Sequence, residues 1–152
     1  LGGTATGDVR IEAVRLRDQG GRLTETVEMG RPLTVEVAYT TVRRIAHPLV
    51  RISIHRIGGL VCHVAVLPDH EGVSFPEGRG AIRLRYSVMP LLPNGYWVSV
   101  EIGERGHPIP LASHKHASFF TVRSDDREGG VVHLEWQWEQ DVDGKALSHH
   151  DS

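Results

Sequence analysis

At 152 residues, with 17 basic against 19 acidic side chains and a formal charge of −2, the chain holds one domain, large enough to bury a core without disulfides or metal. That balance makes no electrostatic case for nucleic acid or an anionic membrane surface, and no apolar run approaches the roughly 20 residues of a membrane helix. A single cysteine, Cys62, excludes an intrachain disulfide and fits a reducing compartment; no signal peptide opens the chain, and Leu1 in place of methionine reads as a fragment of something longer.

Strand-like segments separated by turn residues recur along the whole chain, and no segment has a helical period of useful length. The pattern predicts strands over Val9 to Arg17, with a bulge at Glu12-Ala13 where the apolar phase slips, then Leu33 to Val42, Leu49 to Ile57 and Leu60 to Leu67. Asp69 to Arg79, rich in Gly, Pro and charge, reads as a loop. Ala81 to Met89 carries Ile82, Leu84, Tyr86 and Val88 on one face, and Tyr96 to Gly103 carries Tyr96, Val98, Val100 and Ile102. Between these two, Pro90, Pro93 and Gly95 stop strand growth and force a tight crossover, proline by lacking an N–H and glycine by permitting positive φ. Tyr96 opens its strand with inward phase, placed for its hydroxyl to bond back to the corner in a structural role.

Glu104 to Lys115 reads as a second loop, Ala117 to Arg123 as a strand, Ser124 to Gly129 as a polar linker, Val131 to Glu139 as a long last strand and Asp141 to Ser152 as a disordered tail; the domain proper is residues 1–140. The predicted fold is all-β: an immunoglobulin-like antiparallel β-sandwich. In the last strand Val132, Leu134, Trp136 and Trp138 share a face. An unpaired edge of that kind promotes association unless covered, so these four are the candidate dimer interface; the alternative is that the strand packs back on its own sandwich.

Catalytic patterns are weak. The chain has no Gly-x-Ser-x-Gly elbow and no P-loop, and Cys62 and His63 are strand neighbours that point to opposite faces. His114 and His116, two apart on a strand, could make a bidentate pair, but no third ligand has recognisable spacing, so neither metal nor cofactor is expected. Glu36, Glu101 and Glu135 take the outward phase, where a solvated face is the default for a carboxylate.

The outward faces are more informative together. In an immunoglobulin-type sandwich the Leu49 to Ile57 and Tyr96 to Gly103 strands are neighbours, so Arg51, Ser53, His55, Trp97, Ser99 and Glu101 form one patch, which His63 and either His116 or Ser118 could extend. Mixed donors and acceptors beside an indole suit a neutral polysaccharide, whose hydroxyls both donate and accept and whose C–H face stacks on aromatic rings. The alternative for Trp97 is burial under the Asp69 to Arg79 loop, and for the rest an ordinary polar surface.

A family resemblance runs through nearly the whole chain. Gly30, Pro32, Leu33, Val35, Val37 and Tyr39; Pro48, Val50, Ile52, Ile54 and Arg56; Pro90, Leu91, Leu92, Pro93, Gly95, Tyr96, Val98, Ser99 and Val100; and Phe120, Val122, Gly130, Val132, Leu134 and Trp138 occur in the order of the C-terminal carbohydrate-binding domain of Wzt-type ABC-transporter ATPase subunits, which the chain resembles. It departs from that pattern at the inserted Asn94 and in the loop Ile57-Gly58-Gly59-Leu60, which lacks a polar Asn/Thr element. The resemblance implies a non-catalytic module that binds a lipid-linked, O-antigen-like polysaccharide for export. It also implies a homodimer made by exchange of the terminal strand, contact with a transmembrane permease through an ATPase domain absent here, and a place at the cytoplasmic face of the bacterial inner membrane.

Overall fold

A computed structural model describes residues 3–69, 73–125, 128–142 and 145–149, and all regular structure among them is β. The strands are β1 (Gly3–Ala5), β2 (Val9–Arg17), β3 (Thr26–Glu28), β4 (Leu33–Thr41), β5 (Pro48–Arg56), β6 (Val61–Val66), β7 (Gly78–Tyr86), β8 (Asn94–Glu104), β9 (Ala112–Arg123), β10 (Trp138–Val142) and β11 (Lys145–His149). They form a sandwich. One sheet has the order β2-β4-β7; the other runs β1-β9-β8-β5-β6, with β3 added to β9 in parallel, so the larger sheet is mixed rather than purely antiparallel. The bulge in β2 falls between Ile11 and Ala13, where the sequence pattern slips.

The inner faces meet in a core of Leu33, Val35, Val37 and Tyr39 from β4, Val50, Ile52 and Ile54 from β5, Tyr96, Val98, Val100 and Ile102 from β8, and Phe120 and Val122 from β9. Each fully buried Val or Ile contributes about 1.5–3 kcal/mol relative to exposure, so this stripe pattern commits the register of the central strands. The β7 face is shallower: Ile82, Leu84 and Tyr86 are half-buried against the core, but the strand ends at Tyr86 and Val88 is 59% exposed, contrary to the expected alternation. Val88 falls between the end of the ladder with β4 and buried Met89, which exchanges backbone hydrogen bonds with Gly30 and Arg31, so the strand phase no longer governs it.

The proline-bracketed segment carries the chain from β7 in one sheet to β8 in the other. Tyr96 is fully buried, and its hydroxyl donates to the Leu92 carbonyl at 2.5 Å, closing the corner. Gly95 acts differently from the sequence expectation. It lies inside β8 without a positive φ, and a Cβ there would come within 2.5 Å of Phe119 Cζ and 2.6 Å of Ile57 Cδ1, so the position requires glycine for space.

The terminal segment also differs from expectation. Instead of a continuous strand over Val131 to Glu139, it makes a single bridge from Val132 to Leu91, with Leu92 N–H donating to Val131 O and His133 N–H to Pro90 O. Pro90 and Pro93 have no N–H to give, so the corner can sustain only this short pairing. Beyond it β10 pairs with β11 in antiparallel register, which places a strand pair where the tail was expected to begin. Residues 70–72 of the expected loop, 126–127 of the expected linker and 143–144 and 150–152 of the expected tail lie outside the described residues.

Tyr96→Phe removes one buried hydrogen bond and keeps the ring; it should lower unfolding free energy by about 0.5–1.5 kcal/mol in a urea titration without changing the slope. Gly95→Ala should cost about 1–3 kcal/mol by overpacking against Phe119 and Ile57, and a variant as stable as the parent would show that both side chains yield freely.

Candidate functional site

The register of β5 against β8 decides which outward side chains meet. Arg51 stands opposite Glu101, Ser53 opposite Ser99 and His55 opposite Trp97, so all six predicted residues lie on the outer face of the larger sheet. Five of them, Arg51, Ser53, His55, Ser99 and Glu101, line one groove of about 350 Å³. Its floor is made by the two small serines. Arg51 and Glu101 stand at one end and His55 at the other, with Val61 of β6 on one side and Ser113, Lys115 and His116 of β9 on the other.

Trp97 belongs to the same face but turns toward a second groove. It is half-buried, edge-on to Phe119 at 4.9 Å between ring centroids and to His116 at 5.2 Å. Phe119, its partner in the β8–β9 ladder, and His116 pack against it. The second groove, about 910 Å³, lies between β2 and β9 and is lined by Trp97, Phe119 and Ser118 with Val14, Arg15, Leu16 and residues 23–26. Sequence reasoning missed it because the loop that walls it, Leu23 to Thr26, carries no motif of its own. Ser118, a candidate extension of the first groove, faces the second, where its hydroxyl donates to Val14 O.

A bulge in β9 joins the two grooves. The ladder passes from Val98–Ser118 to Val100–His114, leaving Lys115, His116 and Ala117 opposite Ser99 alone. Within it His116 has a φ of +53°, a left-handed conformation uncommon for a non-glycine residue and tolerated better by histidine than by most. His116 N–H donates to Ser99 Oγ at 3.0 Å, and the same hydroxyl lies 2.9 Å from His55 Nε2. The two imidazoles meet edge-on at 4.9 Å. Partial burial, and secondarily the nearby His116, holds the His55 pKa below the ordinary histidine value, so the ring is neutral at neutral pH and offers both a donor and an acceptor.

Other sequence candidates fall elsewhere. His114 pairs with core-facing Val100 while the bulge turns His116 outward, so the two are not a same-face pair. His63 is opposite inward-facing Ile54, because the β5–β6 register shifts by one residue between His55 and Ile54; it bonds Tyr86 Oη at 3.0 Å instead of extending the groove. Burial pushes the Tyr86 phenol up to about 12. Among the described residues no three His, Cys, Asp or Glu side chains gather as a metal site would need. No helix among them is long and apolar enough to cross a membrane.

Val132, Leu134 and Trp138 are 45%, 67% and 64% exposed, while Trp136 is half-buried with its ring 5.8 Å from that of His133. Glu128 holds this segment in place, its carboxylate accepting from His133 Nδ1 at 2.7 Å and from the Leu134 N–H at 3.2 Å.

Comparison with known proteins adds a lineage to this geometry. The crystal structure of the C-terminal domain of wzt superposes with a TM-score of 0.75 at 15% identity, over 90% of this chain and 86% of that one. Two others overlap less well: the alkylpurine DNA glycosylase AlkC of Pseudomonas fluorescens bound to DNA containing an abasic site analog (TM-score 0.48, 14% identity, 78% of this chain and 31% of that one) and the CARDB domain of the PF1109 protein of Pyrococcus furiosus in complex with di-metal ions (0.44, 13%, 79% and 92%). No curated protein matches the chain. The family model described as the Wzt C-terminal domain matches residues 3–134, and the chain belongs to that family, whose domains are part of ABC-transporter polysaccharide export proteins.

Proposed function

We propose that the domain is a non-catalytic polysaccharide-binding module. The observation that carries this reading is the groove itself: Arg51 and Glu101, Ser53 and Ser99, and neutral His55 converge on a shallow, open trough, and Trp97, opposite His55 in the ladder, lines the groove next to it. Such a set of mixed donors and acceptors matches sugar hydroxyls, which need both, while the Trp97 and Phe119 rings offer apolar surface for a C–H face where the trough meets the second groove. The ligand on this reading is an O-antigen-like, lipid-linked glycan at the cytoplasmic face of the bacterial inner membrane. The domain holds it for a transporter whose ATPase part contacts the permease.

The exposed apolar residues of the terminal segment support a homodimer, since Val132, Leu134 and Trp138 stand open to solvent among the described residues. Exchange of this segment between subunits would bury them. A domain that only dimerises, and binds no glycan, is the second reading, favoured by those same residues and by exposed Val61, Val64 and Val66 on edge strand β6.

Titration with an export-competent polysaccharide separates the two. Trp97→Ala should weaken glycan binding by about 1 kcal/mol or more with the fold intact; a folded variant of unchanged affinity would remove Trp97 from the site. Acidification offers a second check. Partial burial lowers the His55 pKa, so the ring protonates only on acidification below the ordinary histidine range, removing its acceptor and adding a cation beside His116. Glycan affinity should therefore fall as pH drops below that range, and His55→Gln should flatten that part of the profile.

Sedimentation tests the dimer. Deleting residues 130–152 should give monomer or aggregate, and a concentration-independent monomer from the intact chain would rule exchange out.

A further inference from the structure

The outward face of the smaller sheet carries a concentration of charge that the net value of −2 conceals. Residues directly opposite in an antiparallel ladder share a face, and the registers of β2 and β7 on β4 lay down four rows: Arg17, Thr34, Arg85; Arg15, Glu36, Arg83; Ala13, Ala38, Ala81; and Arg10, Thr40, Arg79. Two files of three arginines thus run along β2 and β7, separated by two strand spacings, about 10 Å. The third row, all alanine, keeps the surface between them low.

Glu36 does not interrupt this array from outside. It is only 6% exposed and sits beneath its neighbours, accepting from Arg83 Nε at 2.8 Å and Arg17 Nη2 at 3.2 Å, with Arg15 Nη1 at 3.7 Å. The arginines stand above it: the Arg10, Arg83 and Arg15 side chains are 76%, 60% and 44% exposed. A second carboxylate, Glu12 in the β2 bulge, lies 3.9 Å from Arg10 Nε. Elsewhere on the chain acidic residues outnumber basic ones, so the cations are segregated rather than merely abundant.

We propose that this arginine face docks the domain on an anionic phospholipid surface. Guanidinium forks bind phosphate in a planar, bidentate geometry, and they are spread here over a flat field rather than gathered around a cleft. A single small anion would engage one or two of the six. A linear polyanion laid along the strands would follow the middle file and lie over Glu36, whereas a plane of headgroup phosphates meets both files at once. The proposal rests on family membership, which places the chain in a transporter protein and hence within reach of a bilayer, and is independent of the glycan groove, which lies on the opposite face of the sandwich.

Flotation of the 152-residue chain with vesicles tests it, comparing phosphatidylcholine alone with the same lipid containing about a quarter phosphatidylglycerol. Binding is expected only to the anionic vesicles, lost at about 0.5 M salt and weakened more than about tenfold in the triple variant Arg10→Gln, Arg79→Gln, Arg85→Gln, which leaves the three arginines over Glu36 in place. Equal binding to neutral vesicles, absence of binding to either, or undiminished binding by the folded triple variant overturns the proposal. So does preferential capture of single-stranded DNA, which would give the face to a linear polyanion. Glycan affinity of the triple variant should match the parent in every case, which keeps a failure here distinct from a failure of the groove.

Discussion

The pairing of β5 with β8 fixes both faces of the larger sheet in one step. Because side chains alternate, the register that stacks Ile52 on Val100 and Ile54 on Val98 in the core also stacks Ser53 on Ser99 and His55 on Trp97 outside it. A slip of β5 by one residue would expose Val50, Ile52 and Ile54 and bury Arg51, Ser53 and His55. The groove therefore depends on the core for its existence. Its polar members cost little stability, since they occupy positions that must face outward anyway.

Within that frame the bulge of β9 does the local shaping. A regular ladder would put a side chain of β9 flat against Ser99; three residues opposite one instead lift Lys115 and His116 and free the Ser99 hydroxyl to join His116 N–H and His55 Nε2. The left-handed conformation of His116 costs on the order of 1 kcal/mol and is held by the ladders on either side. Strain of this kind concentrates where a side chain must be aimed, and here it is aimed into the space between two grooves.

Much of the fold was legible because alternation reports which face of a strand is buried. Tyr96, Val98, Val100 and Ile102 read as inward, and all four are; the corner hydrogen bond of Tyr96 and the β2 bulge were legible for the same reason, each leaving a fixed mark on phase. The adjacency of the six outward residues of β5 and β8 followed from sandwich topology once the phases were known. What escaped was everything set by edges and irregularities. Residues 112–116 are too polar to announce a strand, β3 is only three residues long, and the β5–β6 shift that sets His63 opposite Ile54 leaves no periodic trace in so short a strand. Gly95 shows the same gap: a glycine required for space looks, in sequence, like one required for φ.

The groove of Ser99 and His55 shares no side chain with the arginine face, although Arg15 also lines the second groove with Trp97. Ser99 and His55 stand on one side of the close-packed layer formed by Val35, Val37, Val98 and Val100, and Glu36 with its arginines stands on the other. Among the described residues the buried polar side chains are Glu36 and Thr41, and neither lines the Ser99–His55 groove, so occupancy of that groove has no evident lever on the arginine face. Their binding equilibria should be thermodynamically independent, with substitutions on opposite faces combining additively to within about 0.3–0.5 kcal/mol.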